Sequence, residues 1–232
     1  DVEDIVLEPL SSSQAVLSPD EQEVGVVLVD IGGGTTDVTI YSEGSIVHTS
    51  VLALGGNHLT HDIAIGLGAP LREAEEIKHK FGVAMANMVE ENEMIDVPSV
   101  GGRNNRTMQK RVLASIIEDR FREIFELIAH EIEKTHFHTL MASGVVITGG
   151  TCIMSGADRL ASQVLNLPVR VGYPENISGL REMIYSPKYA TSVGLVRYGI
   201  TSNQGKLNFV GDDTNLFHKV SRRMKDWMQE FF

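Results

Sequence analysis

The chain has 232 residues, 42% hydrophobic and 22% charged, a mix that can bury one good core or two small ones and excludes wholesale disorder. Lys+Arg 20 against Asp+Glu 31 gives a formal net charge of -11, which excludes a general nucleic-acid binder, since that needs a basic face to meet phosphates. A lone cysteine, Cys152, excludes an intramolecular disulfide and suits a reducing cytoplasm. No run approaches the roughly 20 apolar residues of a membrane span. The acidic start Asp1-Val2-Glu3-Asp4 has neither an initiator Met nor the pattern of a signal peptide, and reads as the beginning of a fragment.

In chain order, Val24 to Ile31 is a short β-branched run, expected as a strand buried on both faces. Gly32-Gly33-Gly34 turns the chain, Asp37 to Tyr41 resumes as strand, and Glu43-Gly44-Ser45 turns into a third strand, Ile46 to Leu54. Gly55-Gly56-Asn57 caps a helix running to Gly66-Leu67-Gly68. Pro70 suits the first turn of a helix from Leu71 to Phe81. An extended stretch and turn mark Val97 to Gly102. Thr107 to His138 carries a helical stripe through Met108, Val112, Ile116, Phe121, Ile124, Phe125, Ile128 and Ile132, with a phase slip at Glu118-Asp119 that predicts a kink or two abutting helices. Gly144 to Thr148 is a second buried strand. A helix from Gly156 to Leu165, a strand from Pro168 to Val171 and a helix from Lys188 to Gly199 follow. Residues 201–214 are polar and read as a linker, and 215–232 as an isolated amphipathic segment.

Three motifs carry candidate chemistry. Asp30-Ile31-Gly32-Gly33-Gly34-Thr35-Thr36-Asp37 lies between two strands. Its glycines let backbone N–H groups approach an anion without a Cβ in the way, so that a Cβ at Gly33 is expected to block the nest. Thr35 and Thr36 offer hydroxyls, and Asp30 can hold a hydrated Mg²⁺. A bare GGG hairpin would be a plain turn; the Asp before it and the Thr-Thr-Asp after it favour phosphate binding. Thr148-Gly149-Gly150 ends a buried strand and leads towards a helix, a place for flat adenine or phosphate. Glu75 and Lys78 are neighbours on one helix face, a surface ion pair unless a ligand joins them. His58, His61, His136 and His138 lack a metal-ligand pattern. Cys152 reads as a packed residue and Met85, Met88 and Met94 as gap-fillers.

Together these residues resemble the actin-like ATPase superfamily, with DIGGGTTD as its second phosphate loop, Gly55-Gly56-Asn57 in the following connection, Glu75 and Lys78 at the ribose, and Gly149-Gly150 at the adenosine. Within it, VPSVGGRNNR (97–106), VVITGG, PVRVGYPENISGL and SPKYATSVGLVRYG resemble the bacterial cell-division FtsA family. The resemblance implies an α/β chain with an actin-like (ribonuclease H-like) domain II carrying an inserted α+β subdomain, then a linker and a terminal amphipathic helix. The implied divisions are 1–22 as a remnant of domain I and its connection, 23–70 and 144–200 as subdomain 2A, 71–143 as subdomain 2B, 201–214 as linker and 215–232 as membrane-targeting helix. The family's first phosphate loop, most of its domain 1A and its domain 1C have no counterpart here, which implies half of an ATP–Mg²⁺ clamp.

Leu216, Phe217, Val220, Met224, Trp227, Met228, Phe231 and Phe232 recur at helical spacing, and Lys219, Arg222, Arg223 and Lys225 oppose only Asp226 and Glu230. Such a helix suits an anionic lipid surface. A helix docked on protein would also bury the stripe, but its place after a linker and its final Phe-Phe favour the membrane. Arg103, Arg106, Lys110, Arg111, Arg120 and Arg122 form a basic island, either a solvated face or, because the family binds the C-terminal tail of FtsZ through subdomain 2B, the surface for that tail.

The resemblance thus implies an ATP-binding protein that polymerises and tethers FtsZ filaments, with other divisome proteins, to the cytoplasmic face of the inner membrane at the division site. It implies at most weak ATPase activity in the full protein. The alternative is a turnover ATPase of the chaperone or sugar-kinase type, for which no catalytic base can be assigned.

Overall fold

The computed structural model describes residues 2, 4–99, 104–135, 141–175 and 181–202. They fall into two compact units, 1–194 and 195–232; of the second, 195–202 are described, as helix. Residues 201 and 202 of the expected linker fall within that helix, while 203–214 and the expected terminal helix 215–232 lie outside the described residues.

Within the first unit, the apolar run after Gly25 forms β1 (Val26–Ile31), which is buried on both faces. It pairs antiparallel with β2 (Thr36–Ser42), and β2 with β3 (Ser45–Leu52). On its other side β1 pairs parallel with β6 (Val145–Thr148), and β6 with β7 (Val169–Val171). The five-stranded order is therefore β3-β2-β1-β6-β7. A separate two-stranded ribbon joins β4 (Met94–Val97) to β5 (Arg106–Gln109).

One face of the sheet presents Val27, Val29, Ile31, Val38 and Ile40 to the main core. That core also takes in α3 (Gly56–Leu67), α4 (Leu71–Phe81), α5 (Lys110–Lys134) and α6 (Ala157–Leu165). It runs without a break from the sheet to Ile95 and Val97 of the ribbon, so the segments expected as 2A and 2B share one apolar interior. The opposite face, with Val26, Leu28 and Tyr41, is covered by Ala15, Val16 and Leu17 at the end of α1 (Glu8–Val16). After α1 comes α2 (Pro19–Val24), whose Ser18 and Glu21 form a capping box with Pro19 in the first turn. Neither helix was expected from the sequence, although Ser-Pro-Asp-Glu spells that N-terminus.

The long helix departs from its expected form. Thr107 and Met108 lie in β5, and α5 then runs 25 residues as one uninterrupted helix. Its buried stripe is Leu113, Ala114, Ile117, Phe121, Ile124, Phe125, Ile128 and Ile132, in one phase; Val112 is exposed and Ile116 packs on Gly66 from the side. The apparent slip came from counting Val112 and Ile116 as core. Met85 is core as expected, whereas Met88 and Met94 are exposed.

Candidate functional site

The glycine-rich turn between β1 and β2 is the centre of the site. Gly32 N–H donates to the Thr35 carbonyl at 2.9 Å and closes the turn. The carbonyls of Gly32 and Gly33 accept from the N–H groups of Gly56 (2.9 Å) and Asn57 (2.7 Å) at the start of α3. Thr151 Oγ1 donates to the same Gly32 carbonyl at 2.8 Å. The carbonyls of Gly32, Gly33 and Thr35 are thus tied down, while the N–H groups of Gly33 and Gly34 have no acceptor among the described residues. Free amides beside satisfied carbonyls make a concave donor surface, the form of an anion nest.

The glycines divide by what a Cβ would meet. At Gly55 it would lie 2.7 and 2.8 Å from the carbonyl oxygens of Gly32 and Gly33, and at Gly149, where φ is +93°, 2.4 Å from the Ile31 oxygen. These two are required for the chain to close on itself. At Gly33 a Cβ would meet only the Asn57 side chain at 3.5 Å, and at Gly34 nothing within 4 Å. Neither has a left-handed φ, so only the open space in front of them is left for their lack of side chains to serve.

On α4, Lys78 is buried and its Nζ donates to the Gly56 carbonyl (3.0 Å) and Thr60 Oγ1 (2.7 Å) while pairing with Glu75 Oε2 at 2.8 Å. Thr60 also donates to Glu75, and His79 sits 2.9 Å from its other oxygen. Burial works to raise the Glu75 carboxyl, but hydrogen bonds from Lys78 and Thr60 and the Lys78 charge outweigh it and hold the group low. The expected pair is therefore a network that anchors α4 to the first turn of α3.

A cavity of about 420 Å³ joins these parts. It brings together Gly32, Gly33, Gly56, Asn57, Glu75, Lys78 and Gly150 of the expected set, along with Thr151 and Lys188. Gly34 and Thr35 are exposed on the turn beside it. Asp30, Thr36, Gly55 and Gly149 form the layer beneath it. Thr36 is fully buried and donates to the Leu54 carbonyl at 2.8 Å, so its hydroxyl holds the turn and is withdrawn from phosphate contact. Gly149-Gly150 leads into a short 3-10 turn, Gly150–Ile153, and α6 begins only at Ala157, so no α-helix N-terminus faces the cavity there.

Asp30 is 5% exposed and accepts from Ser12 Oγ at 2.6 Å. Burial pushes its carboxyl up to about 6; the Ser12 bond opposes this, and the charges of Glu8 and Asp37 add to it. Asp37 lies directly opposite in β2 and is also raised, by burial and by Glu8. Cys152 is buried, which raises its thiol well above the usual range and fits the expected packed residue. Among the described residues no group of three or more His, Cys, Asp or Glu side chains could hold a metal ion directly.

Ser12, Thr60, Thr151 and Lys188 belong to the site and were not expected. Thr151 directly follows the Thr-Gly-Gly motif and Thr60 stands one turn after Gly56, both readable signals. Ser12 and Lys188 carry none, because only folding brings α1 and the segment after Pro187 to the sheet.

The basic island dissolves into pairs. Lys110 meets Glu93 at 2.7 Å, Arg111 meets Glu91 at 3.4 Å and Arg122 meets Glu118 at 3.0 Å. Arg120 grips Asp62 of α3 through two nitrogens and also meets Glu123, and Arg106 donates to the Leu67 carbonyl at the end of α3. Arg103 lies outside the described residues. The described members therefore give a neutralised surface, not a free basic patch.

The model of the family described as cell division protein FtsA matches residues 27–194. Cell division protein FtsA of Pseudomonas aeruginosa is 40% identical over the whole chain, which covers 57% of that protein. The Neisseria meningitidis protein is 44% identical over 83% of this chain and 47% of its own length, and the Escherichia coli K12 protein 38% identical over 100% and 57%. The chain thus spans about half the length of the curated relatives it matches. Among solved structures, MreB5 of Spiroplasma citri bound to ADP superposes with a TM-score of 0.70 at 20% identity over 88% of this chain and 62% of that one. The PilM–PilN type IV pilus biogenesis complex gives 0.63 at 17% identity over 85% and 53%. The fold is α/β and actin-like, as the resemblance implied, and the chain belongs to the FtsA family of cell-division proteins.

Proposed function

We propose that this chain supplies one wall of an ATP–Mg²⁺ clamp in a cell-division protein that polymerises and tethers FtsZ filaments to the inner membrane. The observation that carries the nucleotide reading is the pair of free amides at Gly33 and Gly34 beside a cavity of about 420 Å³. Phosphate oxygens would take those amides and the exposed Thr35 hydroxyl, Glu75 with Lys78 would border the ribose, and Gly150 with Lys188 the adenosine. MreB5 of Spiroplasma citri, of the same fold, has been solved with ADP and with AMPPNP, which supports the reading.

Mg²⁺ fits through water rather than direct ligation. Asp30 and Asp37 place two raised, unneutralised carboxyls under the phosphate turn, and a hydrated cation would offset that charge with few protein ligands. The ion would supply charge neutralisation at the phosphates, and Ser12 would hold the Asp30 carboxylate in place.

One wall binds weakly by itself, because the opposing groups are needed to close the clamp. Calorimetry of the 232-residue chain should show ATP binding that is weak or undetectable, rising when the other half of a full-length relative is added. Micromolar affinity in this chain alone would overturn the division of the site.

Tethering rests on the sequence of 215–232, outside the described residues. Phe217, Val220, Met224, Trp227, Met228, Phe231 and Phe232 would enter the acyl boundary, with Arg222 and Arg223 at anionic headgroups, each basic residue adding about 1 kcal/mol. Co-sedimentation with anionic vesicles should be lost without 215–232 and with Trp227→Glu. Retained binding would make the tail a protein-docking helix.

For the FtsZ tail, the pairing of Lys110, Arg111, Arg120 and Arg122 with carboxylates argues against long-range attraction to a free basic face. Anisotropy with an FtsZ tail peptide should then depend weakly on salt; a steep salt dependence would restore the charged reading.

A further inference from the structure

Three consecutive serines, Ser11, Ser12 and Ser13, lie buried in the middle of α1. Serine is a weak helix former, because its hydroxyl competes for backbone partners, so three in a row call for a use. Each hydroxyl has one. Ser11 Oγ donates to the Thr191 carbonyl at 2.7 Å, Ser12 Oγ to Asp30 Oδ2 at 2.6 Å, and Ser13 Oγ to the Leu10 carbonyl at 2.9 Å while accepting from Tyr41. The middle serine is the one that reaches the carboxyl beneath the glycine-rich turn.

Thr191 stands behind that serine. It lies in the first turn of a helix that begins at Ala190 and packs on α1 at close range: a Cβ on Gly194 would run into the Ser11 carbonyl. This contact and the Ser11 bond hold Thr191 in place, with its Oγ1 3.0 Å from Ser12 Oγ. A hydroxyl has one proton to give. Ser12 gives its own to Asp30, so its bond with Thr191 forms with Thr191 as the donor. Glu8 Oε1, the competing acceptor for that proton, is farther off at 3.3 Å and at the exposed end of the row.

The result is a directed row from Thr191 to Ser12 to Asp30, in which the first bond polarises the second and fixes the serine's rotamer. Without it Ser12 could turn to the carbonyl one turn back, as helix serines do. Both hydroxyls favour the charged Asp30 carboxylate, against the burial that pushes its carboxyl up. With Oδ2 taken by Ser12, the other oxygen, Oδ1, is directed at Gly149, where a Cβ would lie 2.5 Å from it. Gly149 belongs to the layer under the cavity, so the row decides which oxygen Asp30 turns to that layer.

We propose, on the ATP–Mg²⁺ reading of the cavity, that Thr191 is a positioning residue for the site: through Ser12 it holds the Asp30 carboxylate so that Oδ1 meets the hydrated cation. Thr191 does not line the cavity itself. Outer partners of this kind tune a cation site by fixing the orientation of the carboxylates around it. The hydroxyl of Thr191 does this and its methyl group does not, which makes the role separable from packing.

Calorimetry of ATP binding by the full-length protein, with Mg²⁺ and with EDTA, tests this. Thr191→Val keeps the shape and loses the hydroxyl. It should weaken binding with Mg²⁺ by about fivefold or more, and binding in EDTA by less than about twofold. Thr191→Ser keeps the hydroxyl and should bind as wild type does. Ser12→Ala should show the same Mg²⁺-specific loss, and adding Thr191→Val to it should cost nothing more, because Thr191 acts through Ser12. An unchanged Thr191→Val, equal losses with and without Mg²⁺, a loss in Thr191→Ser but not in Thr191→Val, or losses at Thr191 and Ser12 that multiply would each overturn the proposal. A wild type that bound ATP no better with Mg²⁺ than in EDTA would instead overturn the ATP–Mg²⁺ reading, and this role with it.

Discussion

The glycine-rich turn between β1 and β2 and the basic face of α5 make opposite use of polar groups. On α5 and the β4–β5 ribbon every described cation of the island has found a carboxylate or a carbonyl. At Gly33 and Gly34 the N–H groups have found no acceptor among the described residues, although the carbonyls of Gly32, Gly33 and Thr35 are engaged. Charge alone made α5 look like a contact surface, while the glycines already read as an anion nest. Satisfaction of polar groups separates the two, since a group already paired has less to offer a ligand than one held open by its neighbours.

The sharpest way to break this comparison is to fill the glycines. Gly55→Ala and Gly149→Ala should each cost about 2–4 kcal/mol in urea unfolding, because the new Cβ meets carbonyl oxygens under 3 Å away. Gly34→Ala should change stability by less than about 1 kcal/mol, yet weaken nucleotide binding in a full-length protein by about tenfold or more. Equal losses of stability at all three positions would show that the turn is simply a tight hairpin.

A second test uses the carboxyl beneath the turn. The Asp30 pKa is pushed up to about 6, above its unfolded value near 3.8. The folded state therefore binds more protons between those values, and this group's contribution to stability falls as pH rises from about 4 to about 6, then levels off. The full span is about 3 kcal/mol. Asp30→Asn should flatten that part of the Tm–pH profile and stabilise the chain at pH 7. An unchanged profile would mean that the charge is already offset.

Lys78→Met should cost about 1–2 kcal/mol, because it removes the ammonium that donates to the Gly56 carbonyl and pairs with Glu75, leaving only Thr60 to serve both while Glu75 keeps water. Thermal unfolding checks the cost, and ATP affinity of the full-length protein should drop with it. The smallest effect belongs to Arg111→Ala, within about 0.5 kcal/mol, since its partner Glu91 is 86% exposed. A larger loss there would show that the island works as a network.

Periodicity and punctuation alone located β1, β2, β3, α3, α4, β6, α6 and β7 to within a few residues. Their signals are local: β-branched runs, Gly turns and a Pro at a helix start determine a backbone whatever surrounds it. The motif residues were equally legible, because a glycine-rich turn between strands with flanking Asp and Thr is written in consecutive positions. Tertiary structure alone decided which of them face the cavity. Thr36 turned inward to Leu54, Ser12 arrived from α1 to hold Asp30, and Lys188 came to the cavity from 38 positions beyond Gly150. The same holds for the island, whose partners Glu91, Glu93 and Asp62 lie 17 to 58 positions away from the cations they neutralise. Sequence lists a residue's charge and donors; only packing decides which of those groups are already taken.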